Sequence, residues 1–581
     1  MIAFRNCLNA IVIERKISMK TLLKNGFVVN VFTDKIEKKN VLICDGFIVG
    51  VGDYCDEDAD CIKDVACKFI CPGFIDGHIH IESTMLTPKE FVKTCLPKGT
   101  TAVIADPHEI ANVSGVKGIE YILEESDGLP LDIYVMIPSC VPATPFDETG
   151  AVLGAKDIIG LYNHPRVLGL GEMMNYPGVL FDDIEVLKKI EDAKNLGKVI
   201  NGHAPLLSGK ELDKYIAAGI GDDHECSDID EAMERIEKGQ MVMIRQGTAA
   251  KNLEALLPLF DEPYNRRCML VTDDRHPADL IEDGHIDNII RLAAKAGKNP
   301  VIAIRMATIQ AAEYFGLKRV GAIAPGYVAD LVILDELENV SVTDVYKNGE
   351  LVVSKGKVKP FDEVKVSEEI KKAVKGSFKV NELSEADFYV EPKGKLCRVI
   401  QVLPKQLLTD EKIEALCFAK NNGIDINKDI LKLAVIERHK NTGHKGIGYI
   451  SGVGLKKGAI ASSVSHDSHN LIVIGTNDRD MAIAANCIRE MGGGNVVVAD
   501  GEIVAKMPLA IAGLMGESSA LEMAKQNEMV RNAVCKLGVN DDIEPFMNMA
   551  FISLPVIPSL KMTTKGLVDV NKQEIVPLFA D

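Results

Sequence analysis

Between Cys71 and about Gly316 the chain alternates short apolar runs with stretches of helical periodicity, eight times over. Such alternation is the signature of βα units, whose strands lie parallel because each crossover helix returns the chain to the same end of the sheet. The runs end near His80, Asp106, Pro138, Glu172, His203, His224, Gln246 and Asp273. Eight units in about 250 residues fit a (β/α)8 barrel of the TIM type, whose active site lies at the carboxyl ends of the strands. Between the fourth and fifth runs, Ile184, Leu187, Ile190, Ala193 and Leu196 recur every three residues, with Lys188, Lys189 and Glu191 on the other side. That is the pattern of a helix packed on a barrel. Ser208-Gly209-Lys210-Glu211 has the form of a capping box for the next helix, which should stop at Gly219. Ser227 with Asp230 should open the one after it, and Gly239 should close it.

The flanks of the barrel have a different character. Residues 20–68 alternate apolar and polar, with Lys24-Asn25-Gly26 and Asp45-Gly46 as hairpin turn signals. Residues 321–361 repeat that character around the turn Lys347-Asn348-Gly349-Glu350. The two pieces are expected to pair into one composite small β-sandwich domain interrupted by the barrel at 69–320. A charged, lysine-rich stretch from Asp362 to Lys379 reads as a linker or exposed helix, and 380–581 as a C-terminal α+β domain. In that domain Cys397 to Val402, Leu471 to Gly475 and Asn495 to Ala499 read as strands and Asp480 to Met491 as a helix. Gly492-Gly493-Gly494 then fits a helix cap and turn better than a phosphate cradle. The fold class is α/β with these additions.

A chain of 581 residues is too long for one ordinary core, and its 47% hydrophobic content suits several. A formal charge of -18 without a basic stripe argues against a nucleic-acid partner. Fourteen cysteines scattered without a C-x-x-C pair suit reduced thiols in the cytoplasm. The longest apolar stretch, around Met507 to Met515, is far short of the ~20 residues a membrane span needs, so no membrane partner is expected. Met1 to Lys20 lacks the features of a signal peptide, and because patterned sequence starts at Leu22, translation is hypothesised to begin at Met19. A homodimer is expected from the general frequency of such assemblies.

The strand-end residues carry the chemistry. His78 and His80 stand two apart on one run, so their imidazoles point the same way. Glu172, His203, His224 and Asp273 end four further runs. Mixed imidazole and carboxylate suit manganese, iron(II) or zinc, whereas calcium or magnesium would call for oxygen alone. Four histidines and two acids exceed the three protein ligands of one catalytic zinc, which argues for two divalent ions. In that arrangement Glu172 bridges, His78, His80 and Asp273 hold one ion, and His203 and His224 hold the other. A hydroxide shared between them is a nucleophile near neutral pH, since a bound metal lowers the pKa of water from ~16 toward ~7. Asp273 then serves as ligand and proton shuttle. Competing structural roles exist for each: a helix cap for Glu172, a loop before Ala204-Pro205 for His203, an acidic solvated turn for His224, and a helix N-cap for the Asp273-Asp274 pair.

The whole resembles the amidohydrolase superfamily. The resemblance rests on Pro72-Gly73-Phe74-Ile75-Asp76-Gly77-His78-Ile79-His80, on Glu, His, His and Asp in strand order, and on Gly321-Ala322-Ile323-Ala324-Pro325-Gly326 to Val332. It is closer still to the bacterial and archaeal adenine deaminases through Asp106-Pro107-His108-Glu109-Ile110-Ala111-Asn112, Gly169-Leu170-Gly171-Glu172-Met173-Met174, Thr272-Asp273-Asp274-Arg275 and Ser465-His466-Asp467-Ser468-His469-Asn470. It covers nearly all of the chain beyond Met19. Glu172 stands where many superfamily members carry a carboxylated lysine, which is itself what adenine deaminases look like.

The resemblance implies hydrolytic deamination of adenine to hypoxanthine and ammonia, in purine salvage. A metal-bound hydroxide attacks C6, and Asp273 relays its proton to the departing amine. Asp106, His108 and Glu109 are candidates for contacting the purine or a further metal ion, against a structural turn around Pro107. Asp274 is a candidate substrate or orienting group. His466 and His469 could reach the site from the C-terminal region, a surface turn being the alternative. His276 and His285 read as loop or helix-surface residues and Cys226 as a small core residue.

One rival stays open and two others are disfavoured. A dihydroorotase-like or dipeptidase-like cyclic amidohydrolase would bind a substrate carboxylate, for which Arg245 and Arg275 are the positions to test. A zinc deaminase of the H-x-E and P-C-x-x-C type lacks its signature here, since Cys71 precedes its proline with no second cysteine at the right interval. A non-enzymatic scaffold predicts lost ligands, and none of the six is missing.

Overall fold

The order of elements begins with β1 (Lys20–Asn30), β2 (Lys35–Cys44), β3 (Phe47–Gly52), β4 (Cys61–Asp64) and β5 (Phe69–Pro72). Eight strands of the central domain follow: β6 (Phe74–Ile79), β7 (Thr100–Ala105), β8 (Asp132–Ile137), β9 (Val167–Met173), β10 (Val199–Gly202), β11 (Asp222–Asp223), β12 (Met241–Arg245) and β13 (Cys268–Val271). Then come β14 (Leu331–Leu334), β15 (Val342–Lys347), β16 (Glu350–Ser354) and β17 (Lys357–Val358). This computed structural model describes residues 19–248, 250–404, 406–540 and 542–581, so the segment upstream of Met19 lies outside the described residues.

The central strands are parallel. β6 to β10 pair in sequence order, and β11 to β13 pair likewise. Gly221 N–H donates to Ile200 O (3.0 Å), joining the two sets on one side. On the other, Asp273 N–H donates to His78 O (3.0 Å). The curled sheet is of TIM type, and its last seam puts Asp273 beside the two histidines that end β6. Strand side chains Ile75, Ala102, Ile104, Met136, Met243 and Met269 form one buried cluster.

The flanking strands from both sides of the chain join one nine-stranded sheet, in which β5 lies between β1 and β14. The two flanking pieces therefore pair with each other directly, through the contact of β5 with β14. Asp45-Gly46 and Asn348-Gly349 make its tight turns, all four residues at positive φ. Lys24-Asn25-Gly26 does not turn the chain. Asn25 (φ 62°) is a bulge inside β1, across which pairing with β2 resumes. Buried Leu22 and Leu23 before it and Val28 and Val29 after it hold both halves in one strand. A Cβ at Gly26 would collide with Ile70, so the close approach requires glycine there.

Three local expectations shift. Lys189, on helix Ile184–Asn195, is buried because its Nζ reaches Ser139 O (2.6 Å), while Ile184 and Leu196 at the ends of the stripe are exposed. Ser208 caps helix Gly209–Ala217 without a side-chain hydrogen bond, Gly209 N–H donating instead to Glu234 Oε1 (2.9 Å). Asp228, not Ser227 or Asp230, caps helix Ile229–Glu237 by accepting from Glu231 N–H (2.9 Å).

The charged stretch after the flanking sheet contains helix Glu368–Lys375, whose Ile370 and Val374 are buried. The C-terminal region contains an eight-stranded sheet, including Leu396–Val402, Leu471–Gly475 and Gly494–Ala499, with helix Asp478–Met491 ending at left-handed Gly492. It contacts the barrel near its site: Gly516 N–H donates to Met85 O (2.9 Å), just beyond His80. No helix among the described residues is long and apolar enough to cross a membrane.

One buried ion cluster ties the flanking sheet to the barrel. Lys347 Nζ, at the end of β15, lies 2.6 Å from both Asp330 and Asp132, the latter opening β8. Burial alone would lower the ammonium pKa, but the two carboxylates outweigh it and raise it. Lys347→Met would strand buried Asp330, and by analogy with broken buried pairs should destabilise the protein by about 3–5 kcal/mol in denaturant unfolding. The double variant with Asp330→Asn should recover most of that loss.

Candidate metal centre

The strand ends converge on one carboxylate. Glu172 Oε1 lies 3.3 Å from His80 Nε2 and 3.3 Å from His108 Nδ1. Its Oε2 lies 2.7 Å from His203 Nδ1 and 3.2 Å from His224 Nε2. Asp273 Oδ1 lies 3.1 Å from His80 Nε2 and 3.7 Å from His78 Nε2. The His78 and His224 rings stack at 4.2 Å between centroids. All six strand-end residues singled out in the sequence thus meet in one place, and only His203 is not fully buried.

Backbone geometry aims them. His80 Nδ1 pairs with Asp106 O (2.9 Å), which turns Nε2 toward Glu172 and Asp273. Asp106 Oδ2 accepts Glu172 N–H (2.8 Å), and a Cβ at Gly171 would collide with the Asp106 carboxylate. Asp106 therefore orients Glu172 and does not line the cavity above it, contrary to the expected purine contact. Ser139 Oγ donates to Glu172 O. Asp273 itself adopts a left-handed backbone (φ 58°) as the chain leaves β13.

Two residues not foreseen as one unit complete the cage. Arg245, ending β12, donates to Glu225 (2.5 Å) and to Asp273 Oδ2 (2.7 Å), and Glu225 Oε1 lies 3.2 Å from His224 Nε2. Glu225 adjoins His224 in sequence, which was the available signal. Burial resists ionising Asp273, but the Arg245 guanidinium outweighs it and holds the carboxyl well below the usual range. For Glu172 the same resistance is overcome chiefly by His203.

His78 and His224 are buried, with neither ring nitrogen in a hydrogen bond. Such imidazoles need a partner, and facing carboxylates make a divalent cation the fitting one. The ligand-type atoms of His78, His80 and Glu172, of His78, His224 and Asp273, and of Glu172, His203 and His224 each fall within 4.8 Å of one another. The three sets overlap pairwise at His78, Glu172 and His224.

Above the cage is a cavity of about 570 Å³ lined by both domains. His108, Glu109 and Asp274 face it from the barrel, and His466 and Asp467 from the C-terminal domain. His469 does not line this cavity but contacts Glu109 behind it. Leu408, Phe551, Leu554, Val556 and Ile557 form an apolar wall. His276 precedes helix Pro277–Glu282 as expected of a loop histidine. His285, by contrast, is buried and pairs with Asp76 Oδ2 (3.0 Å) and Thr100 Oγ1 (2.8 Å), because that carboxylate offers an internal partner. Cys226 is buried core.

An amidohydrolase family model matches residues 69–359, and one for the adenine deaminase C-terminal domain matches residues 406–574. The chain is 46% identical over 562 residues to adenine deaminase 2 of Carboxydothermus hydrogenoformans, covering 96% of each. It is 44% identical over 559 residues to the adenine deaminase of Desulfatibacillum aliphaticivorans, covering 96% of this chain and 97% of that one. Among solved structures, a β-aspartyl dipeptidase of Fervidobacterium islandicum AW-1 aligns with a TM-score of 0.46 at 17% identity, over 59% of this chain and 99% of that one.

Removing one imidazole should cost metal before it costs fold. His78→Ala is expected to lose at least one equivalent of bound divalent metal by elemental analysis, with an unchanged circular dichroism spectrum.

Proposed function

Because this chain belongs to the adenine deaminase family of the amidohydrolases, we propose that it hydrolyses adenine to hypoxanthine and ammonia at the cage around Glu172. Two divalent ions, manganese or iron(II) before zinc, would be held by His78, His80, Glu172, His203, His224 and Asp273. When bound, they supply water activated for attack at neutral pH.

The protein's own groups do the rest. Asp273 Oδ1 faces the imidazoles while its Oδ2 is held by Arg245, so the carboxylate that would move a proton is fixed in orientation. It would take that proton from the attacking water and hand it to the exocyclic amine, which leaves as ammonia far more easily than as amide ion. Phe551, Val556 and Ile557 would cover the flat faces of a heterocycle and exclude bulk water.

The observation that carries adenine over a cyclic amide is the state of the two arginines. Arg245 is taken up by Glu225 and Asp273. Arg275 donates to Asp279 O (3.1 Å) and Gly284 O (2.8 Å) and does not line the cavity. Arg245 already faces two carboxylates and Arg275 lies outside the cavity lining, so a neutral ring fits better than dihydroorotate or a β-aspartyl dipeptide.

Protein loaded with manganese or iron(II) should release one ammonia per adenine, with the rate in His78→Ala down by about 1,000-fold or more, the scale of a lost metal-activated nucleophile. Absence of release by metal-bound protein, together with hydrolysis of a carboxylate-bearing cyclic amide, would contradict the adenine reading.

A further inference from the structure

The seam that closes the barrel carries a buried relay of polar side chains outside the cage. Asp76, two residues before His78 in β6, has both carboxylate oxygens engaged. Its Oδ1 accepts the N–H of His78 (3.2 Å) and the N–H of Thr272 (3.1 Å). Its Oδ2 accepts from Thr272 Oγ1 (2.5 Å) and lies 3.0 Å from Nε2 of His285, the residue before helix Ile286–Lys295. His285 Nδ1 pairs in turn with Thr100 Oγ1 (2.8 Å), at the start of β7. Asp76, Thr100, Thr272 and His285 are all buried, and the His285 ring packs edge-on against Phe91 with centroids 5.6 Å apart. An ionised carboxylate only accepts, so the His285 proton facing it is on Nε2.

The two backbone groups held by Asp76 belong to the metal cage. One is the N–H of His78, and the other is that of the residue before Asp273. The side chain of His78 has neither ring nitrogen in a hydrogen bond, so its direction rests on its backbone. Asp273 sits at φ 58°, a left-handed conformation that a residue with a side chain keeps only where its surroundings impose it. Among the described residues β6 and β13 share one isolated bridge, Ile79 with Asp273, and no continuous ladder. The strand ladder therefore leaves the spacing of the two segments to side chains. Thr272 is gripped at its N–H and at its hydroxyl by one carboxylate, which gives the chain a fixed direction as it enters Asp273.

We propose that His285, acting through Asp76, is a positioning residue for the metal ion shared by His78 and Asp273. The relay from Thr100 through His285 and Asp76 to Thr272 sets the spacing of those two ligands. Partners of this kind, one step outside the ligands, orient them and raise metal affinity. Among the described residues no hydrogen bond or ion pair joins the relay to Glu172, His203 or His224, so the second ion is left alone. The proposal rests on the ligand assignment made above and is independent of the substrate.

The test is titration calorimetry of the metal-free protein with manganese(II), in which the unaltered protein should bind two equivalents. His285→Phe keeps an aromatic ring beside Phe91 and loses both hydrogen bonds. In it one equivalent should bind about 10- to 100-fold more weakly, the scale of a lost outer partner, and the other within about threefold. Thr272→Val removes only the hydroxyl and should weaken the same equivalent, whereas Thr272→Ser restores the hydroxyl and should bind like the unaltered protein. At saturating manganese, kcat for adenine in His285→Phe should be down about tenfold with KM within about threefold.

A simple staple of the barrel would lower folding stability and weaken both equivalents together, and that result would overturn the proposal. Unchanged affinities in both His285→Phe and Thr272→Val would overturn it as well. Uptake of fewer than two equivalents by the unaltered protein would overturn the ligand assignment and the proposal with it. Ammonia release from adenine by the unaltered protein is read separately, so the adenine reading and the relay stand or fall apart from each other.

Discussion

One carboxylate organises the site. Glu172 is within 3.3 Å of four imidazoles, carried by the ends of four different elements, and it is buried among them. A lone ionised carboxylate in such a place would be strongly unfavourable, and so would a cluster of unpaired imidazoles. Together they are tolerable, and divalent cations held between them would make the cluster a stable unit. The barrel supplies the convergence, because strand ends in a curled parallel sheet point into a common mouth. The backbone supplies the precision through Asp106, which fixes Glu172 at its N–H and His80 through its carbonyl. Replacing the Asp106 side chain would therefore release the Glu172 N–H while leaving the carbonyl that holds His80.

The same logic extends outward in layers. Arg245 compensates Asp273 and Glu225, which in turn face His80 and His224. The cationic residue that a carboxylate-bearing substrate would need is thus consumed in holding the cage. That internal use of charge leaves an apolar-walled cavity suited to a neutral heterocycle. The C-terminal domain is part of this arrangement, since it provides the apolar wall and the histidines that face Glu109. Its chain is remote from the barrel residues it serves.

Much of this was legible from residue order. Eight apolar runs marked the eight strands, and period two put His78 and His80 on one face. Positive-φ turn signals located Asp45-Gly46 and Asn348-Gly349 correctly, but the same signal at Asn25 marked a bulge, because apolar pairing on both sides kept the strand going. Lys189 looked exposed by periodicity, yet its long stem allowed the ammonium to reach a carbonyl across the barrel wall. His285 looked like a loop residue because its partner, Asp76, is far away in sequence. The Glu225–Arg245–Asp273 set and the approach of His466 to Glu109 are tertiary facts of that same kind. Periodicity reports which face a residue occupies on its own element, and is silent about which other element that face will meet.

The most direct test of this account is the electron paramagnetic resonance spectrum of the metal-free protein titrated with manganese(II). Glu172 at the centre of the cage predicts that two equivalents bind as a spin-coupled pair, and that Glu172→Gln shows only the six-line signal of isolated ions. Two uncoupled ions in the unaltered protein, or a coupled pair that survives Glu172→Gln, would contradict it.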